Sequence, residues 1–220
     1  MFRGLFVTGT DTGVGKTVVA AALLHRYRAE GPVRYWKPVQ TGIERDDDTA
    51  EAARIGACQP HEVLASGVRL PRPLSPHLAA RLSGSTIALG PLLDAILGER
   101  GSPFWIVEGA GGVLVPINDS ETMVDLMIHL HLPVVVAART SLGTINHTLL
   151  TLEALRRRAL HVAGVVMVGD RNPDNRAAIE RYGDVAVLGD MPLLDPLTPE
   201  RLGNWAAKEL DPHHLLDVAR

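Results

Sequence analysis

The feature that most constrains this chain is a short stretch near its start, TGTDTGVGKT, at residues 8–17. The apolar residues Leu5, Phe6 and Val7 precede it, and residues 18–24 continue from it with apolar side chains at helical spacing. A strand, a glycine-bearing loop and Gly-Lys-Thr at a helix start are the context of a phosphate-binding loop. Unpaired N–H groups and the positive dipole end of such a helix attract an anion. We therefore expect this loop to bind the phosphates of a nucleotide, rather than to form an ordinary turn.

Single residues of this loop have separate expected roles. Gly13 and Gly15 would let the backbone curl around a phosphate without a clash of Cβ atoms. Lys16 would contact the outer phosphates, and Thr17 would offer its hydroxyl to Mg²⁺. The spacing departs from the usual G-x-x-x-x-G-K-[ST] pattern because the first glycine is Gly9, which makes the loop one residue longer.

Short apolar segments alternate with helical patterns along the rest of the chain. We expect strands at about 3–8, 33–37, 67–70, 104–107, 134–138, 162–168 and 185–188. We expect helices at about 15–30, 48–55, 77–82, 89–99, 123–130, 145–158 and 174–182, and a helical tail at about 198–218. Strands without period-two patterning indicate a parallel sheet that is buried on both faces. We predict an α/β fold with a doubly wound, mostly parallel sheet and helices on both faces, as a single domain over residues 1–220.

Three loops should meet at one edge of this sheet, because the carboxyl ends of parallel strands share that edge. The loops comprise residues 9–17, 37–48 and 108–112. Thr17, Asp48 and Glu108 would then form a ligand set for Mg²⁺, which prefers oxygen ligands and bridges phosphates. Glu108 directly follows a buried apolar strand, where ligands bind. For Asp48 an equally good alternative is the N-cap of the helix that follows it.

Two further features of these loops have both a functional and an ordinary interpretation. Lys37 ends an apolar and aromatic strand, so it is either a second cation for phosphate or a solvated strand end. The glycine-rich residues 109–112 either let backbone N–H groups approach an anion or form a tight turn between two strands. Two lysines on one polyphosphate would suit phosphoryl transfer, in which positioning and charge neutralisation dominate.

Composition excludes several classes of function. The net charge of −3 and the 4% aromatic content argue against a nucleic-acid or membrane-surface partner. Cys58 is the only cysteine, which excludes an internal disulfide framework. No leader pattern and no apolar run that approaches 18 residues are visible, so we expect a cytoplasmic protein.

The ordered set of motifs resembles the dethiobiotin synthetase family of the biotin pathway. The motifs are TGTDTGVGKT at 8–17, KPVQTG at 37–42, Asp48, SPH at 75–77, VEGAGG at 107–112, LGTINH at 142–147 and GDMP at 189–192. They cover nearly the whole chain. The resemblance implies a fold of the P-loop NTPase type and a ring closure that depends on ATP and Mg²⁺. In that family 7,8-diaminopelargonic acid and CO₂ form a carbamate, ATP converts it to a carbamic-phosphoric mixed anhydride, and the second amine closes the ring to dethiobiotin.

The same resemblance implies roles for individual residues and a homodimer with substrate at the subunit interface. Lys37 corresponds to the family's catalytic lysine, and Lys16 and Thr12 would act beside it. The implied metal ligands are Thr17, Asp48 and Glu108. The implied substrate contacts are Thr41, Lys37, Gly111, Gly112 and, from the partner subunit, Asn146. The implied nucleotide contacts are Gly13, Val14, Gly15, Lys16, Thr17, Val18, Asp48, Glu108, Gly109, Ala110, Gly111, Gly169, Asp170, Pro192, Leu193 and Leu194.

One position departs from the family pattern. Many members have Asn-Asp after the strand that here spans 162–168, and the asparagine reads the edge of the adenine. This chain has Gly169-Asp170 instead, and glycine has no side-chain amide. We therefore expect ATP to be used with relaxed base selectivity, so that other nucleoside triphosphates are also accepted.

Two competing interpretations remain open. The first is an ATPase switch like ParA or MinD, which carries a signature lysine five residues before the lysine of Gly-Lys-Thr. Asp11 occupies that position here, which argues against such a switch. The second is another P-loop amidotransfer-type synthetase or a small-molecule kinase.

Overall fold

The computed structural model describes residues 3–216. Its strands are β1 (Arg3–Gly9), β2 (Val33–Trp36), β3 (Val39–Thr41), β4 (Val63–Leu64), β5 (Val68–Leu70), β6 (Phe104–Gly112), β7 (Val134–Arg139), β8 (Val162–Val168) and β9 (Val187–Met191). Its helices are α1 (Lys16–Arg28), α2 (Asp48–Ile55), α3 (Pro76–Leu82), α4 (Leu89–Leu97), α5 (Met123–Leu130), α6 (Thr144–Arg156), α7 (Pro173–Gly183) and α8 (Pro199–Glu209). A 3₁₀ turn at Pro60–Glu62 precedes β4.

The main sheet has the strand order β4-β2-β6-β1-β7-β8-β9, and its strand pairs are parallel. Strands β3 and β5 form a separate parallel pair. Strand β1 lies in the centre of the main sheet between β6 and β7, so the loop that follows it opens at the middle of the carboxyl edge. The predicted parallel α/β fold is confirmed.

The apolar core lies on both faces of the main sheet, which explains the continuous apolar runs in its strands. Leu5 and Val7 of β1 pack into the cluster that contains α1, whereas Phe6 packs into the cluster that contains α5. Adjacent side chains of a strand point to opposite faces, so this alternation follows from the strand geometry. Among residues 3–216, no helix combines the length and apolar character that a membrane crossing needs.

Three sequence-based expectations about elements were wrong. Residues 108–112 were expected to be a loop, but β6 continues to Gly112 and pairs with Gly9 of β1. Residues 39–41, also expected to be a loop, form β3. In residues 108–112 backbone pairing with the neighbouring strand outweighs the weak strand propensity of glycine, whereas Val39 and Thr41 are residue types that favour strands. The predicted helical tail ends at Glu209 as α8, and residues 217–218 of that prediction lie outside the described residues.

Candidate active site

The phosphate-binding loop joins β1 to α1 with glycines at the positions that require them. Gly13 has a φ of 67°, and Gly15, the N-cap of α1, has a φ of 94°. Both values lie in the left-handed region that favours glycine. Gly15 has no side chain to cap the helix, and the first turn of α1 contains no acidic residue. The first N–H groups of α1 are therefore available to an anion.

Lys16 lies at the base of this loop with its side chain largely buried. Its Nζ donates to the carbonyl of Asp11 at 2.8 Å. Burial, followed by repulsion from Lys37, lowers the pKa of Lys16 to about 8. Val14 packs in the core beside α1, so only its backbone remains to contact a nucleotide.

Glu108 is the centre of a buried hydrogen-bond network beside the loop. Its Oε1 accepts from Thr17 Oγ1 at 2.9 Å and from Lys37 Nζ at 2.5 Å. Glu108 is fully buried, and Lys37 is only 1% exposed. The structure thus brings Lys37, directly after β2, and Glu108, within β6, to the first turn of α1, and the two residues converge there as the parallel-strand argument predicted.

Asp48 forms an ion cluster together with Lys37 and Glu108. The structure also distinguishes between the two interpretations of Asp48, as a site residue or as the N-cap of α2. The N-cap of α2 is Asp47, whose side chain accepts from the N–H of Ala50 at 3.1 Å. Asp48 is the first residue of α2, and its Oδ2 lies 2.8 Å from Lys37 Nζ. The capping role therefore belongs to the neighbouring residue, and the Asp48 carboxylate faces the cluster.

Burial and two neighbouring carboxylates have opposite effects on the pKa of Lys37. Burial by itself would lower the pKa of this amine, because a desolvated charge is unfavourable. The carboxylates of Glu108 and then Asp48 more than offset that effect, and the pKa of Lys37 is raised above its ordinary value. Lys37 is therefore a cation at neutral pH.

Sequence reasoning missed Tyr35, whose hydroxyl donates to Glu108 Oε2 at 2.7 Å. Burial, and then the Glu108 carboxylate, raise the pKa of Tyr35 well above its ordinary value, so the phenol stays neutral. A signal was present in the sequence, because Tyr35 lies two residues before Lys37 in the strand expected at 33–37 and hence on the same face.

A cavity of about 1060 Å³ opens at this cluster. Of the predicted site residues, its lining includes Thr12, Gly13, Gly15, Lys16, Thr17, Val18, Lys37, Thr41, Asp48, Glu108, Ala110 and Gly111. Arg45, Arg54 and Ser75 also line it and were not predicted. This volume lies just above the range typical of small-molecule sites, which extends to about 1,000 Å³.

The remaining predicted residues lie apart from that cavity lining. Gly169 and Pro192 line a second cavity of about 330 Å³, and Gly112 lines a third of about 480 Å³. Gly109 lies within β6, where a Cβ would be 3.0 Å from the ring of Phe6. Four predicted residues are at least partly exposed and line none of these three cavities: Asn146, Asp170, Leu193 and Leu194.

Gly169 could not be replaced simply by a residue with a side chain. Its φ is 133°, and a Cβ at this position would lie 2.5 Å from the hydroxyl oxygen of Thr140. Its N–H donates to the carbonyl of Met191 at 2.9 Å. The backbone here is therefore fixed in a conformation that favours glycine.

The oxygens of this cluster fit a magnesium ion that also binds nucleotide phosphates. Thr17, Asp48 and Glu108 offer only hard oxygen donors. Within residues 3–216 no group of three or more histidine, cysteine, aspartate or glutamate side chains could form a metal site. Two carboxylates and a hydroxyl leave coordination positions for phosphate and water, which is how Mg²⁺ is usually held in phosphoryl-transfer sites.

Comparison with known proteins gives matches over most of the chain. A family model described as an AAA domain matches residues 3–201. The chain is 50% identical over 196 residues to the ATP-dependent dethiobiotin synthetase BioD of Paramagnetospirillum magneticum, covering 89% of this chain and 91% of that protein. This chain belongs to the dethiobiotin synthetase family. The enzyme of the same name from Brucella ovis is 44% identical over 216 residues, with 98% of both chains covered.

Solved structures that resemble this dethiobiotin synthetase family member support its fold. A ParA family ATPase from Chlorobium tepidum has a TM-score of 0.58 at 12% identity, covering 99% of this chain and 98% of its own. Cobyrinic acid a,c-diamide synthase from Mycobacterium smegmatis, solved with ADP and magnesium, has a TM-score of 0.51 at 16% identity, covering 94% and 93%. At such identities the likeness concerns the fold alone. The likeness to ParA therefore does not favour an ATPase switch over a synthetase.

Proposed function

We propose that this chain is an ATP- and Mg²⁺-dependent dethiobiotin synthetase, which closes the ureido ring of dethiobiotin from 7,8-diaminopelargonic acid and CO₂. Family membership over nearly the whole length supports this function. The observation that carries it is the buried Lys37 amine, paired with Glu108 and Asp48 beside the phosphate-binding loop. A cation at this place can meet a carbamate and a γ-phosphate together.

The reaction proceeds in three steps, namely carbamate formation, phosphoryl transfer and ring closure. One amine of the substrate attacks CO₂ and loses a proton, which gives a carbamate. A carbamate oxygen attacks the γ-phosphorus of ATP, the bond from that phosphorus to the β-phosphate oxygen breaks, and ADP leaves. The second amine then attacks the carbonyl carbon of the mixed anhydride, phosphate leaves with the bridging oxygen, and the nitrogen loses its proton as the ring closes.

The residues of this chain bind and orient the reacting groups. The N–H groups at the start of α1 and Lys16 hold the β- and γ-phosphates. Lys37 neutralises charge on the carbamate and the transferred phosphoryl group, and such charge neutralisation is the main source of catalysis in phosphoryl transfer. Thr12, Thr41, Gly111 and Gly112 would position the diamine. Thr17, Asp48 and Glu108 would hold Mg²⁺, which supplies further positive charge to the phosphates when it is bound.

The function is tested by measuring phosphate release from ATP and Mg²⁺ with the diamine and bicarbonate added separately and together. We expect release above background only when both are present, with dethiobiotin formed in equal amount and detected by its mass. ATP turnover that neither compound raises would make the proposed function wrong. Stimulation by the diamine without bicarbonate would indicate a small-molecule kinase instead.

Nucleotide selectivity is expected to be weak because Gly169 offers no side-chain amide to the base. A polar edge of the base that is left unpaired costs roughly 1–3 kcal/mol, or about 5- to 150-fold in affinity. Without the side-chain amide this enzyme does not gain that discrimination between bases. We expect the kcat/KM values for ATP, CTP and GTP to lie within about tenfold of one another. A preference for ATP of about 100-fold or more would contradict this, unless the backbone near Pro192 and Leu194 reads the base.

We further propose a homodimer with substrate at the subunit interface. Three exposed leucines support this arrangement, namely Leu114, Leu142 and Leu150. Leu114 and Leu150 line the cavity of about 480 Å³, and Asn146 is exposed on the same helix as Leu150. We expect a molar mass in solution of twice that of the chain, measured by light scattering at assay concentrations. A fully active monomer would contradict the proposal.

Two broader expectations remain predictions. The assignment of residues 1–220 to one domain predicts a single cooperative unfolding transition, which calorimetry can measure. A cytoplasmic location, expected from the sequence, can be checked by cell fractionation.

A further inference from the structure

The two oxygens of the Glu108 carboxylate have different partners. Oε1 accepts from Thr17 and from Lys37, on the side of the phosphate-binding loop. Oε2 accepts from the hydroxyl of Tyr35, at 2.7 Å. Glu108 and Tyr35 are both 0% exposed, so water does not compete for this bond. The carboxylate is therefore held at both oxygens by donors from the protein.

Strand geometry explains why Tyr35 of β2 and Lys37, directly after β2, donate to different oxygens of Glu108. Tyr35 pairs with Ile106 and Trp36 pairs with Val107 in the parallel register of β2 and β6. Side chains two residues apart on a strand share a face, so Tyr35 and Lys37 lie on the face that carries Ile106 and Glu108. Trp36 lies on the opposite face, where its Nε1 donates to the carbonyl of Ser66 at 2.6 Å.

Loss of the Tyr35 hydroxyl would leave one oxygen of a buried carboxylate without a donor. An unsatisfied buried acceptor is costly, so the carboxylate would rotate toward the donors that remain. Lys37 and Thr17 are those donors, and both lie on the side where a cation would bind. Rotation would therefore disturb the oxygen that the site presents to a cation.

We propose that Tyr35 is a positioning residue that holds Glu108 Oε2, so that Oε1 is presented to Mg²⁺ beside Thr17. This inference rests on the metal role assigned to Glu108 in the proposed function. Tyr35 acts through Glu108 and does not itself contact nucleotide or diamine. Residues that orient a metal ligand in this way typically contribute about 10- to 100-fold to metal affinity or activity.

The test is Tyr35→Phe, which removes the hydroxyl and keeps the ring. Binding of a non-hydrolysable ATP analogue is measured by calorimetry across a range of Mg²⁺ concentrations. We expect the half-saturating Mg²⁺ concentration to rise about 10- to 100-fold, with binding of the analogue in the absence of Mg²⁺ unchanged. In turnover assays kcat should fall at limiting Mg²⁺ and recover at high Mg²⁺, while KM for the diamine stays the same.

Trp36→Phe is the matched control, because it removes a hydrogen bond from the adjacent residue of β2 on the opposite face. It should lower the unfolding temperature without changing the Mg²⁺ response. The proposal is overturned if folded Tyr35→Phe keeps the wild-type Mg²⁺ response, or if Trp36→Phe shifts that response as much.

A second comparison uses a background in which residue 108 is a neutral amide, so that Tyr35→Phe no longer leaves a buried charged oxygen without a donor. Adding Tyr35→Phe to Glu108→Gln should leave the Mg²⁺ response of Glu108→Gln unchanged, because the two residues act as one unit. A further shift in the double variant would overturn the proposal. These binding measurements do not require dethiobiotin to be formed, so a failure of the proposed reaction would be recognised separately in the phosphate-release assay.

Discussion

Lys37→Gln is expected to lower kcat by about 10²- to 10³-fold while the affinity for ATP changes little, because removal of one preorganised donor to developing charge costs this much in other enzymes. The amine is buried and its pKa is raised by Glu108 and Asp48, so the wild-type enzyme carries a positive charge here at assay pH. Glutamine is one atom shorter than lysine and still donates a hydrogen bond, but it cannot neutralise a carbamate or a phosphoryl group.

Lys37→Leu separates the contribution of charge from that of hydrogen bonding. If charge dominates, both variants lose similar activity in single-turnover assays. A binding titration with a fluorescent ATP analogue should show that both still bind nucleotide, since Lys16 and the N–H groups of α1 remain. Near-normal turnover of either folded variant would exclude Lys37 from the chemistry.

Glu108→Gln should weaken the dependence of the reaction on Mg²⁺, because a neutral amide is a poorer ligand for a hard cation. A ligand should contribute at least as much as the residues that support it, so we expect the half-saturating Mg²⁺ concentration to rise by at least about 10- to 100-fold. The substitution also removes the nearest counter-charge of Lys37, at 2.5 Å, so maximal turnover should fall as well.

Glu62→Gln provides the control for Glu108→Gln. Glu62 is also a buried glutamate in an ion pair, 3.0 Å from Arg28, and does not line the main cavity. Its neutralisation should reduce stability and leave the Mg²⁺ titration of turnover unchanged. An equal response of both variants would show that Glu108 acts through stability and not as a metal ligand.

Much of the site could be predicted because its residues lie at or near the carboxyl edge of neighbouring parallel strands. Lys37 follows β2, Glu108 lies within the neighbouring strand β6, and Thr17 lies in the first turn of the helix after β1, which is on the other side of β6. A parallel sheet places all three at one edge whatever the details of packing. The strand assignments and the phosphate-binding motif were therefore enough to predict that these three residues converge.

Other features depend on contacts that the local sequence does not specify. A shift of one residue in the start of α2 would decide whether Asp47 or Asp48 caps the helix. Because the helix starts after Asp47, the Asp48 carboxylate can pair with Lys37. The glycine-rich end of β6 has low strand propensity, yet its backbone pairs with Gly9 because β1 lies beside it. Tyr35 reads as an ordinary core aromatic until the position of Glu108 is known.

Gly169 also has a consequence for how nucleotide preference could change over evolution. An amide-bearing side chain at this position would need a different backbone conformation and a new place for the Thr140 hydroxyl. A single substitution that met both requirements would strain the fold. Changes at residue 140 or in the adjoining backbone would therefore have to come first. The order in which mutations arise, and not only the advantage that each would confer, would therefore preserve the relaxed nucleotide selectivity that we propose.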